Sequence, residues 1–103
     1  IVHGHGLAAL TPAVIEASSP GNPEKFSTIS QIFGGQSEKD CANRIRELLV
    51  KLDLDCTLSE LGIIEADIGW MAENCMKVSE ASIMNNPVVF TKEEIEEIYR
   101  KAL

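Results

Sequence analysis

Ser37-Glu38-Lys39-Asp40-Cys41-Ala42-Asn43-Arg44-Ile45-Arg46-Glu47-Leu48-Leu49-Val50-Lys51-Leu52 places Cys41, Ala42, Ile45, Leu48, Leu49 and Leu52 on one face at helical spacing, with Glu38, Lys39, Arg44 and Glu47 outside it. Ser37 followed by Asp40 is the pattern of a helix start, so an amphipathic helix with one docked face is predicted here. The same period returns on the C-terminal side. Ile68, Met71, Ala72, Cys75 and Met76 mark a second amphipathic helix starting near Glu65. Thr91-Lys92-Glu93-Glu94 is a capping box: the Thr91 hydroxyl reaches the backbone three residues on, Glu94 reaches back, and Ile95, Ile98, Tyr99 and Ala102 supply a buried stripe.

On the N-terminal side, residues 7–17 are apolar almost all the way round, the mark of a helix enclosed by protein, with a kink expected at Pro12 because proline lacks a backbone donor. Ser18-Ser19-Pro20-Gly21-Asn22 reads as a turn, and Pro23 takes the first-turn position of a helix running through Phe33, stopped by Gly34-Gly35. Residues 57–62 read as a short helical turn closed by Gly62, and Asn85-Asn86-Pro87 as a loop. The one strand-like run, Val88-Val89-Phe90, is too short and too close to a helix cap to argue for a sheet. The expected fold is therefore all-α, a small bundle of about five to six helices forming a single domain over residues 1–103.

Nine basic and sixteen acidic side chains give a net charge of −7, which repels nucleic-acid phosphates and anionic membranes, so neither is an expected partner. No apolar run approaches the roughly 20 residues of a membrane span. Cys41, Cys56 and Cys75 are odd in number and lack metal-type spacing, as reduced thiols of a cytoplasmic protein would. Trp70, Met71, Cys75 and Met76 read as core or interface at helical spacing, and Glu93, Glu94, Glu96 and Glu97 as a solvated face.

Ile1-Val2-His3-Gly4-His5-Gly6 has neither an initiator Met nor a polar leader, and on that ground the chain is expected to be the second half of a larger protein. His3 and His5 precede the first predicted helix, where the dipole keeps an imidazole neutral, as a metal ligand must be. Two histidines are too few for a zinc or iron site, which usually takes at least three protein ligands, and short His-Gly tracts also occur in flexible leaders. A free amine at Ile1 with His3 in third place could also wrap Cu(II) or Ni(II) in a square-planar nitrogen set.

His3-Gly4, followed without a break by Leu7-Ala8-Ala9-Leu10-Thr11-Pro12, resembles the start of the C-terminal helical domain of the iron-containing (group III) alcohol dehydrogenases, which share the dehydroquinate synthase-like fold. There a histidine, usually followed by glycine, precedes a small-apolar helix with a proline nine residues after it; His3 and Pro12 keep that spacing, and His5 is two residues out of register. Asn22 to Phe26, Leu58 to Gly62, Asn85-Asn86-Pro87 and the Thr91 helix follow in the family's order, so the likeness covers essentially the whole chain. The resemblance implies that an N-terminal dinucleotide-binding domain faces this one across a cleft, and that an aspartate and three histidines hold one divalent ion, Fe(2+) or Zn(2+). His3 is the one ligand in this chain that the resemblance implies. The NAD or NADP site would lie mainly on the N-terminal domain, so no catalytic residue is assigned here and the isolated chain is expected to be inactive. His5, Ser82, Asn85 and Asn86 are candidates to line the cleft, beside a simpler reading of Asn85-Asn86-Pro87 as a helix connector.

A different class of reading is a stand-alone acidic helical module that docks a partner. Removing the first domain would expose the cleft side of the helix over residues 7–17, and self-association of the isolated chain is expected.

Overall fold

The computed structural model describes residues 4–103 in full and His3 through its backbone. Six α-helices occur among the described residues, and no strand. Helix α1, His3–Ser18, carries Pro12 in its interior without ending there. The proline leaves the Ala8 carbonyl without its usual donor, while the hydroxyl of Thr11 donates to the neighbouring Leu7 carbonyl at 2.6 Å. Small buried residues, Ala8 and Ala13, let α1 lie close to two other helices. Its first turn includes both His3 and His5, which therefore belong to the helix rather than precede it.

After a tight helical turn at Ser19–Gly21, α2 spans Pro23–Ile32, with the Asn22 Oδ1 accepting from the Lys25 amide at 3.2 Å. The helix stops one residue sooner than expected, and Gly34 takes the left-handed backbone (φ 88°) that leads the chain out. Ser37 and Asp40 form the anticipated reciprocal cap, and through a tight turn at Glu38–Asp40 the chain enters α3, Cys41–Lys51. Residues 57–62 form hydrogen-bonded turns rather than a helix. The Thr57 hydroxyl accepts from the Glu60 amide at 3.2 Å, and Gly62 (φ 94°) closes the segment.

A tight turn at Glu65–Asp67 leads into α4, Ile68–Val78. A six-residue helix, α5 at Glu80–Asn85, then follows, unanticipated from the sequence, and takes in Asn85, which had been read as loop. The last helix, α6 at Lys92–Ala102, starts on the Thr91 and Glu94 capping box.

The core lies where α1, α4 and α6 meet: Ala13, Ala72, Phe90, Ile95 and Ile98 are buried together. Helix α3 covers another side of α1, tied by Arg46 to Glu16 at 3.1 Å. The Leu58 amide donates to the Ala102 carbonyl at 2.8 Å, giving one of the unpaired carbonyls at the end of α6 a partner. The molecule is a slab of 37 × 30 × 17 Å, about two packed helices thick. So thin a body leaves large apolar side chains outside. Trp70, expected in core or interface, is 68% exposed, and Ile32 and Val78 more so. Helical spacing puts Trp70 on α4, but among the described residues nothing covers most of its side chain.

Candidate functional site

An apolar groove of about 380 Å³ has walls from four helices. Leu7, Leu10 and Val14 recur at three- and four-residue intervals along α1, so one face of that helix forms a continuous wall. Phe90, Ile95, Ile98 and Tyr99 form the floor from α6 and its approach, and Cys75 closes the α4 side. The remaining wall is α5 and its flanks, and it supplies most of the polar groups: Ser79, Ser82 and Asn86, beside Ile83. An apolar trough with a few hydroxyl and amide groups on one side suits a small molecule that is mostly hydrocarbon with a polar end.

Tyr99 is half-buried in this groove. Burial, then the neighbouring Cys75 thiol acting through its charge when ionised and through a hydrogen bond, pushes the phenol pKa up to about 12. At neutral pH it is an uncharged group that can donate or accept. The sequence places Tyr99 on the α6 stripe alone; its groove position follows from packing against α4, which sequence periodicity does not encode.

The residues anticipated from the sequence are sorted by the fold. Ser82 and Asn86 reach the groove. Asn85, the last residue of α5, is exposed and is not among the groove residues. His5 is exposed and likewise off the groove, while its backbone carbonyl accepts from the Cys56 thiol at 3.4 Å, tying the first turn of α1 to the chain after α3. His3 enters α1 two residues earlier, and its side chain lies outside the described residues. Among the described residues no three His, Cys, Asp or Glu side chains converge closely enough to hold a metal ion. These residues by themselves therefore do not make a metal site, and any bound ion would need ligands from elsewhere.

Asn86 does more than border the groove. Its Nδ2 donates to the Ser18 hydroxyl and to the Val88 carbonyl, each at 2.9 Å. Beside it, Gly21 passes so close to the Pro87 carbonyl that a Cβ there would collide with it. The α5–α6 connection is thus fastened to the end of α1.

Among the described residues no helix is long and apolar enough to cross a membrane. Residues 1–103 match the profile of the Fe-containing alcohol dehydrogenase family, C-terminal. The chain is 33% identical to a 1,3-propanediol dehydrogenase of Klebsiella pneumoniae, a match covering 97% of this chain and 27% of that protein. It is 34% identical to alcohol dehydrogenase 4 of Saccharomyces cerevisiae, with the same two coverages. A crystal structure of an archaeal halo-thermophilic Red Sea brine pool alcohol dehydrogenase bound to NZQ superposes with a TM-score of 0.87 at 32% identity, over 100% of this chain and 28% of that one. That of a 1,3-propanediol oxidoreductase gives 0.80 at the same identity and coverage. The chain thus spans a little over a quarter of the length of these relatives.

Proposed function

The chain belongs to the iron-containing alcohol dehydrogenase family, and from that premise we propose that it is the helical, metal-contributing part of an NAD(P)-dependent enzyme that interconverts an alcohol and its aldehyde. The observation that carries this reading is the placement of His3 nine residues before Pro12 at the head of α1, inside a family match that runs the length of the chain. His3 would contribute one imidazole to a divalent ion, iron or zinc, with the other ligands supplied by the part of the protein this chain does not span. When bound, such an ion acts as a Lewis acid on the substrate oxygen during hydride transfer to or from the nicotinamide.

The tasks of this chain's own residues are positional. His3 lies four residues before Leu7 in α1, the helix whose Leu7, Leu10 and Val14 wall the groove, so a substrate whose oxygen lay near His3 would have its hydrocarbon part against an apolar surface that excludes water. Ser82 and the uncharged Tyr99 offer the hydroxyl groups from which an alcohol can be oriented. No group in this chain is assigned to carry the hydride, and the 103 residues alone should not oxidise alcohols.

In the complete protein, His3→Ala should lose bound metal and alcohol oxidation together, read by elemental analysis of the purified protein and by nicotinamide reduction. Wild-type metal content and turnover in that variant would remove His3 from the ligand set. A second reading, an acidic helical docking module, draws on the exposure of Trp70 and Val78. It takes precedence if the complete protein neither retains a divalent ion nor reduces nicotinamide with any alcohol.

A further inference from the structure

Helix α5 forms one wall of the groove and is held there by Ile83, which packs against the core, and by its two ends. Six residues make about one and a half turns, too few to be stable by local hydrogen bonding. Its main helical neighbour is α4, from which it is separated by Ser79 alone. Its Met84 is 62% exposed, which leaves Ile83 to carry its packing against the core. At its far end stands Asn86, held in extended backbone (φ −71°, ψ 147°) as the residue before Pro87 must be. That backbone restriction directs the side chain, and both of its amide hydrogens are used: one on the Val88 carbonyl, the other on Ser18, 68 residues away in sequence at the end of α1. Ser18 is 2% exposed and lies outside the groove lining. The lock therefore connects the α5 wall, with Ser82 and Ile83, to the same helix that carries Leu7, Leu10 and Val14 on the opposite wall.

We infer that Asn86 is a positioning residue: its bond to Ser18 sets the separation of the α1 and α5 walls, and with it which alcohols the groove accepts. The inference rests on the functional reading above, in which the groove holds the hydrocarbon part of the substrate. A residue acting this way governs binding of substrate and transition state alike, so its loss raises KM and leaves the turnover of each correctly assembled site in place. Loss of fold alone would instead reduce the number of active sites at constant KM.

The test is steady-state kinetics on the complete, metal-loaded protein with propane-1,3-diol and straight-chain alcohols from ethanol to hexan-1-ol, normalised to bound metal. Asn86→Ala should raise KM by roughly two- to ten-fold, the range for losing the one neutral hydrogen bond that spans the two walls, and flatten the preference among chain lengths. Ser18→Ala, which touches no groove surface, should shift KM and preference the same way. The double variant should be no worse than Asn86→Ala, because the bond that Ser18→Ala removes is already lost in Asn86→Ala. If Asn86→Ala raises KM while Ser18→Ala does not, Asn86 acts by touching substrate and the positioning role is overturned. Unchanged KM and preference in both variants overturns it as well. Failure of the unsubstituted protein to oxidise any of these alcohols is a separate outcome, one that removes the functional reading and the inference with it.

Discussion

Tyr99 shows what the groove does to a single side chain. An exposed phenol titrates near 10, but burial and the Cys75 thiol push this one up to about 12. Because the chain contains one tyrosine, absorbance at the tyrosinate band reads that group alone, and the expected midpoint lies near 12. The sign of the linkage follows from the raised value. Below about pH 10 the phenol is protonated folded or unfolded, and the full stabilisation is present; as pH rises toward 12 the unfolded chain ionises first, and stability falls. Cys75→Ala should lower the midpoint, since burial alone then holds the proton. A midpoint near 10 in the folded protein would mean that the phenol is neither buried nor near the thiol.

Among the elements, α6 depends most visibly on its start. Thr91 accepts from the Glu94 amide at 3.3 Å while Glu94 accepts from the Thr91 amide at 2.9 Å, and this cap fixes where Ile95, Ile98 and Ala102 enter the core. Thr91→Ala should destabilise by about 1 kcal/mol, seen as a lower urea midpoint with unchanged slope. The same cap was legible in the sequence, as were Ser37 with Asp40 and Pro23 after Asn22, because capping is decided within four residues. Helix α5 was not, since six residues hold too little period to register. The exposure of Trp70 and the partner of Asn86 were also invisible: the first depends on what faces α4 and the second on a residue at the far end of α1. His3 stood out locally only as an imidazole at a helix start and was preferred over His5 by family likeness, Ser82 was singled out by that likeness alone, and the groove that gives Ser82 a context had no sequence signature.

At the scale of the molecule, a slab about two helices thick with net charge −7 exposes Leu7, Ile32, Trp70 and Val78. Where such side chains form a contiguous patch of more than a few hundred Å², a partner usually covers it. The isolated chain should therefore self-associate with rising concentration, and a single monomeric species across the range in sedimentation would show that these side chains are too scattered to act together. The order of the helices matters as much as their surfaces. The first helix completes its core against the last, Ala13 meeting Ile95 and Ile98 across more than eighty residues of intervening chain. Closing so long a loop is slow and entropically opposed until the distant contacts form. A ribosome delivers α1 well before α6, so during synthesis the helix that bears His3 waits, unclosed, for the residues that will hold it; the groove can take shape only once α6 has been made.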